Sequence, residues 1–428
     1  MRKVLIIILS ALYAAAPAKS QALGFFGFGN ERRVNEKPNR FVYGAEFNYY
    51  FDNREFDTGK NLYTGSMTIN AARLTPLAGL EINEGKKLSH RIMLGIDILK
   101  NMGESPVSLK DRSLENTGLF HEMLLYYKLK ARAGNSLIKA YAGIFPRNSR
   151  IRDYGNEFLS DSLKFYDNNI EGVLIQMLRP NASFELGCDW LGMYGSGRRE
   201  RFIIFSHGNA RLTPWLSTGW YVSGYHLANM VEYGGVVDYF LAKPFVTTHF
   251  ENFLPLQQLS LSLSWLQSLQ RDRAKDKGFD FPSGAQAEFK IMNWGVGIEN
   301  KLFIGTSLMP YYGNIDAGGN KYGPLLYRGD PFYRIKAKSG DWKEIGLYNR
   351  LEVFYRPRIS DFLDLQVSFL FHFAENEAGN LGFIGSRQKF SLLFNLEKLK
   401  NSGNKTLFKA SKNKRRKQGL ASGEEYYL

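Results

Sequence analysis

The chain has 428 residues, of which 44% are hydrophobic and 23% charged, enough for one large β domain or two ordinary ones. A mean hydropathy of -0.30 excludes a bundle of membrane-spanning helices, and a single cysteine, Cys188, excludes an intramolecular disulfide. The formal charge of +15 suits a surface that meets nucleic acid, anionic lipid headgroups or acidic solutes.

The N-terminus narrows that choice. Arg2 and Lys3 precede an apolar run from Val4 to Ala16, and Ala18, Lys19 and Ser20 supply a small-x-small cleavage site. This is the layout of a secretory signal peptide over residues 1–20, so nucleic acid is not expected as a partner. Residues 21–39 carry Gly and Phe, then charges, with no periodicity; they are expected to form a periplasmic N-terminal leader.

From Arg40 onward the pattern has strand period. Phe41, Tyr43, Ala45, Phe47, Tyr49 and Phe51 alternate with Gly44, Glu46 and Asn48. Further strands are expected at about 62–82, 89–100, 117–131, 137–145, 168–178, 182–193, 200–211, 215–228, 236–250, 256–267, 285–292 and 295–304. Three strongly alternating segments follow. Leu351, Val353 and Tyr355 oppose Arg350, Glu352 and Arg356; Leu365, Val367, Phe369 and Phe371 oppose Asp364, Gln366 and Ser368; Phe390, Leu392 and Phe394 oppose Arg387, Lys389 and Ser391. Each such strand puts one face against an apolar medium and the other against a polar one.

The connections between these strands alternate in length. Short ones fall at about 84–88, 132–136, 179–181, 212–214, 252–255, 293–294 and 357–361, and long ones at about 53–61, 101–116, 146–167, 268–284, 305–345 and 375–385, with two moderate ones near Gly195 and Met230. A soluble sandwich has no reason to sort its loops by parity, whereas an outer-membrane barrel has tight periplasmic turns and longer outer loops. The expected fold is therefore all-β, a transmembrane antiparallel β-barrel of about sixteen strands (between about 14 and 18) spanning residues 40–397 as one domain. Residues 398–428 are polar, with Lys412, Lys414, Arg415, Arg416 and Lys417 clustered, and are expected to be a basic, disordered periplasmic tail.

In such a barrel the apolar residues face lipid and the polar ones the lumen. The candidate pore-lining residues are Glu46, Asn48, Arg91, Asp97, Glu122, Lys128, Glu185, Asp189, Arg201, Asp238, Glu288, Lys290, Arg350, Glu352, Asp364, Arg387 and Lys389. Most are expected to pair across strands, and the remaining field to sort solutes. The longest loop, 305–345, holds Tyr311, Tyr312, Tyr322, Tyr327, Phe332 and Tyr333 among glycines, with Asp330 and Arg334 close by. Such a segment either constricts the mouth or forms an exterior lid with a small core of its own.

Catalysis is not expected. Ser206 and His207 provide the residue types of an acyl-transfer pair, but neighbours on a strand point to opposite faces. No metal-ligand spacing, phosphate-binding glycine loop or dinucleotide fingerprint occurs, so neither metal nor cofactor is expected.

The aromatic strand Phe41 to Phe51, the expected strand-turn-strand at Arg73, Leu74, Thr75 and Pro76, and the last strand from Lys389 to Phe394 resemble outer-membrane β-barrel porins, most of all the porin-like proteins of the Bacteroidota type. The resemblance implies a bacterial outer-membrane location and a channel for passive diffusion of small solutes, with selectivity from lumen charges and the 305–345 loop. Outer-membrane lipid and small solutes are then the partners. The alternative is a non-conducting structural or accessory subunit of an outer-membrane complex, with envelope proteins bound through the basic tail.

Overall fold

Strand period is realised along the chain in the computed structural model, which describes residues 39–56, 63–85, 87–103, 120–253, 256–275, 278–316, 318–319, 321–335, 341–357, 359–375 and 380–401. The expected signal peptide, almost all of the leader and residues 402–428 of the tail lie outside the described residues. The strands are β1 (Asn39–Phe56), β2 (Met67–Glu84), β3 (Leu88–Asn101), β4 (Phe120–Ala133), β5 (Ser136–Pro146), β6 (Asn169–Arg179), β7 (Ala182–Gly192) and β8 (Arg201–Thr213). They continue as β9 (Leu216–Ala228), β10 (Val236–Phe253), β11 (Leu256–Asp272), β12 (Ser283–Asn293), β13 (Val296–Gly305), β14 (Gly346–Tyr355), β15 (Leu363–Glu375) and β16 (Leu381–Asn395).

Each strand pairs antiparallel with its sequence neighbours, and β1 closes on β16 in a register running from Glu46 opposite Asn395 to Phe56 opposite Gly385. Closure leaves no sheet edge, so every ladder can satisfy its backbone groups inside the wall, as lipid requires. The outer face is apolar: Leu80, Ile92, Val173, Ile175, Leu263 and Phe369 stand exposed on it. Exposed aromatics gather at both ends of the wall, Phe41, Tyr43, Phe253 and Trp294 at one and Tyr194, Phe279, Phe281 and Phe383 at the other.

Two sequence expectations are corrected. Parity of the connections holds through β14, but 356–362 is longer than 376–380, because β16 begins at Leu381, well before the expected polar-apolar segment. No turn forms at Arg73 to Pro76 either. β2 runs straight through, with Pro76 opposite Ala45 on β1, and only the β3 side skips a step between the Leu74–Ile98 and Leu77–Gly95 pairs. Proline has no N–H to give that ladder. One of the two-residue connections, Trp294 and Gly295, has positive φ at both residues (51° and 79°), the requirement of a two-residue hairpin turn that follows strand twist.

Candidate functional site in the barrel lumen

Inner and outer faces separate by burial along every strand. On β15, Asp364, Gln366, Ser368, Leu370 and His372 point inward, while Phe369 is exposed on the outer face. The candidate pore-lining residues follow this parity with one exception. Asp238 shares its parity with exposed Phe240, whereas Tyr239 and Leu241 are buried on the inner side. Asp238 therefore lies on the outer face at the loop end of the barrel. There it pairs with Arg273 at 2.7 Å and with His226 at 3.4 Å. His226 in turn stacks on Phe202, and Phe202 on Trp190, with ring centroids 4.9 and 5.2 Å apart. The rule that polar means inward fails here because β8, β9 and β10 present Ile203, Phe205, Tyr225, Leu227, Val237, Tyr239 and Leu241 to the inside.

What these apolar residues meet is two loops folded into the barrel. Loop 147–168 enters from β5 and carries the short helix Asp161–Tyr166. Glu185 on β7 accepts from the Ile151 backbone N–H at 2.6 Å, the Tyr154 hydroxyl at 2.8 Å and the Gln176 amide at 2.7 Å. On the opposite wall Asp161 accepts from Arg387 at 3.1 Å and from Lys389 at 2.8 Å, and Arg387 also grips Asp52 across the β1–β16 seam at 2.6 Å. Burial pushes the Asp161 carboxyl up, but Lys389 and Arg387 outweigh it and hold it well below the usual aspartate range. The helix ends on Arg73, whose guanidinium donates to the carbonyls of Phe165 at 2.6 Å and Tyr166 at 3.0 Å while bound to Asp97. A cation there meets the negative end of the helix.

Loop 306–345 enters from β13 and is the second inner segment. The structure sets its aromatic residues against the wall. Tyr327 donates to Gln270 at 2.6 Å, Tyr322 to Asp272 at 3.0 Å, Tyr311 to Asp280 at 2.7 Å and Tyr333 to Gln286 at 2.8 Å. Phe332 stacks on inward His372 with centroids 4.4 Å apart, and Arg334 sits 4.2 Å from the Tyr312 ring. Both loops then meet: Ser160 N–H donates to the Arg328 carbonyl at 2.8 Å, Asp330 N–H to the Asn156 carbonyl at 2.7 Å, and the Asn156 amide to the Asp330 carboxylate at 2.8 Å. Arg328 also pairs with Asp167. Gly329 permits this approach, because a Cβ there would lie 2.2 Å from the Glu157 carbonyl oxygen.

The remaining wall charges form networks. Glu288 is held by Lys243 at 2.6 Å and Lys301 at 3.2 Å; Arg350 binds Glu299 at 3.0 Å and Glu352 at 3.1 Å; Lys290 lies 3.7 Å from Glu299. Asp364 pairs with Arg356, Arg91 with Glu81, and Asp189 with Arg147 at 2.8 Å. Glu122 accepts from Asn169 at 2.5 Å, Glu46 from Asn148 at 3.0 Å, and Lys128 sits 5.1 Å from the Tyr141 ring. Asn48 is on the inner face of β1, and Arg201, at the loop end of β8, donates to the Leu191 carbonyl at 2.8 Å. Ser206 and His207 fall on opposite faces, His207 fully buried inside.

Asp161, Tyr154, Asp52, Lys243, Gln270 and Gln286 were not singled out by sequence. Lys243 had a readable signal, since it shares the parity of Tyr239 and Leu241. The pairings of Asp161 had none, because its partners on β16 are 226 and 228 positions away.

A comparison with protein-family models and with curated proteins gives no match. Among solved structures, the chain is similar to a loop L8 deletion mutant of OmpT, an outer membrane protein of Vibrio cholerae, at 6% identity and TM-score 0.46, over 84% of this chain and 100% of that one. It is similar to Pseudomonas putida OprB at 9% identity and TM-score 0.45, over 83% and 94%, and to Acinetobacter baumannii OccAB4 at 8% and 0.41, over 84% and 98%.

Proposed function

We propose that the protein is a porin-like channel of the bacterial outer membrane, through which small solutes diffuse past a filter made of lumen charges and two inward loops. The observation that carries this reading is the charged inner wall, part of which keeps accessible side-chain surface. Lys290, Glu299, Asp364 and Lys389 keep side-chain exposures of 31%, 20%, 22% and 18%. Burying an ion costs several kcal/mol unless it is paired with good geometry, so a barrel with no need of water inside would fill such positions with apolar side chains. Loop 147–168 occupies the lumen beside the β1–β16 seam, where Asp161 is ion-paired directly with Lys389 and Arg387, and Asp153 with Lys164 of the same loop. A lumen narrowed beside accessible wall charges selects by charge as well as by size. The resemblance to porin-like proteins of the Bacteroidota type is supported by the first and last strands, the turn at Arg73 to Pro76 being absent.

The second reading is a non-conducting accessory barrel, favoured by the apolar core that the wall and loop 306–345 share through Leu227, Leu241, Leu266, Leu308 and Leu326. Single-channel recording in planar bilayers separates the two. The channel reading expects discrete conductance steps from the folded protein and larger steps after deletion of residues 313–334. Silence from both proteins would sink it.

Membrane location has its own test. Val367→Arg on the outer face should impair folding into vesicles by about 2–4 kcal/mol, the midplane penalty for a lipid-facing arginine. Ser368, also on the inner face, is fully covered, so half-buried Gln366→Arg is the fair inner control and should cost less. Equal losses at 366 and 367 would count against lipid outside and water within.

A further inference from the structure

Outside the constriction, the loop end of β7 and β8 carries a small hairpin, residues 193–200, closed by an antiparallel bridge between Gly195 and Arg198. It is tied to the neighbouring loop 229–235 through Val231 N–H on the Gly195 carbonyl at 3.3 Å. Between these loops and the inner segment at Leu325 lies a cavity of about 500 Å³, lined by Met193, Arg198, Arg199, Arg201, Met230 and Leu325. Arg201 has inward parity at the start of β8, so the cavity opens at the mouth of the lumen.

The three guanidinium groups are not equivalent. Arg199 is engaged by Asp316 and by Asn229 at 3.1 Å. Arg201 gives one N–H to the Leu191 carbonyl and another to the Tyr225 hydroxyl and still has others to spare, since a guanidinium carries five. Arg198 is exposed, and among the described residues its guanidinium has no partner. Glu232, a carboxylate on the adjoining loop, is bound to Ser196 and to the Gly197 N–H at 3.2 Å. The cavity lining thus combines guanidinium forks with thioether and aliphatic surface.

We propose that this cavity captures amphiphilic organic oxyanions, a carboxylate or phosphate head on an apolar body, at the channel mouth. The proposal rests on the channel reading for the passage of the ligand after capture; the binding itself needs no conduction. Planar forks match the two oxygens of a carboxylate or phosphate. Methionine walls adapt to apolar shapes. The volume lies in the range of small-molecule sites, about 300–1,000 Å³.

The test is calorimetric titration of the full chain in nanodiscs of zwitterionic lipid with four probes: phenylacetate, phenyl phosphate, neutral phenylacetamide and inorganic phosphate. Saturable binding of at least one phenyl anion is expected, with the amide and inorganic phosphate at least about tenfold weaker. Which phenyl anion binds identifies the head. Arg198→Ala, in an exposed turn that leaves the barrel intact, and Arg201→Gln should each weaken binding by about tenfold. Equal affinity for the amide, equal affinity for inorganic phosphate, no saturable heat, or no effect of Arg198→Ala would each overturn the proposal. A protein that binds without conducting removes the channel reading and leaves the site; one that conducts without binding does the reverse.

Discussion

Loops 147–168 and 306–345 reach the same part of the lumen and touch one another there, yet the first is pinned to the wall by ions and the second by phenol hydroxyls and stacked rings. Asp161, Asp167 and Arg147 anchor the shorter loop to β16, to the other loop and to β7. Tyr311, Tyr322, Tyr327, Tyr333 and Phe332 anchor the longer one to β11, β12, β15 and the loop residue Asp280. The difference stems from the part of the wall each loop covers. Beside the β1–β16 seam the wall is charged, and a carboxylate gains most there; over β9–β11 it is apolar, and a ring with one polar tip can bury its body while its hydroxyl finds an amide.

The largest break expected is at Asp161. Asp161→Ala leaves Arg387 and Lys389 partly unpaired in a covered site, a change that costs about 3–5 kcal/mol when a buried pair is broken. Arg387 keeps Asp52, so the lower end of that range is expected. A spin label at Arg152 should become mobile and the channel steps should widen; an immobile label with unchanged steps would show that the ion anchor is dispensable.

Gly329→Ala attacks the contact between the loops instead. The new methyl meets the Glu157 carbonyl at 2.2 Å and the Asn156 carbonyl at 3.2 Å, and overpacking of this kind costs about 1–3 kcal/mol. Labels on both loops, at 152 and 321, should move apart in a double electron-electron distance measurement. If the distance between them is unchanged, the loops do not depend on that approach.

Tyr333→Phe removes one hydroxyl and leaves the Gln286 carbonyl oxygen short of a donor, for about 1–2 kcal/mol. Because four other aromatic anchors remain, thermal unfolding should shift slightly and the label at 321 should stay ordered. Loss of order at 321 from this change alone would mean that the ring anchors do not share the load.

Acid should separate the loops more gently. Burial raises Asp161 and Asp167, but Lys389 and Arg387 around the first and Arg147 and Arg328 around the second hold both below the usual range. Their contribution is fully present above the unfolded aspartate value of about 3.9 and is lost only as pH falls through the lower folded values. Burial pushes the Tyr327 and Tyr333 phenols well above their ordinary value, so neither ionises in acid. The label at 152 should therefore stay ordered from neutral pH down to about 4 and loosen below it, while the label at 321 does not respond. Loosening at 152 between pH 7 and 5 would contradict the ion-pair account.

Strand period was legible from the residues alone. Alternation in β14, β15 and β16 assigns each face, and from it the inward set Arg350, Glu352, Asp364, Arg387 and Lys389 follows without any structure. Period works because the medium outside the barrel is uniform and every strand answers to it alike. The medium inside is not uniform. Where loops fill it, Tyr239 and Leu241 face inward and Asp238 faces out, a reversal that local alternation cannot announce. Loop 306–345 was conspicuous by length and by its tyrosines, but not its direction, which depends on Gln270, Gln286 and His372 standing on three separate strands to receive it. Asp161 reached Arg387 and Lys389 only once closure of β1 on β16 had brought the far end of the chain beside it. The residues thus determined the wall, a matter of neighbours one and two positions apart. The filling of the wall was decided by contacts between segments that only the closed barrel brings together.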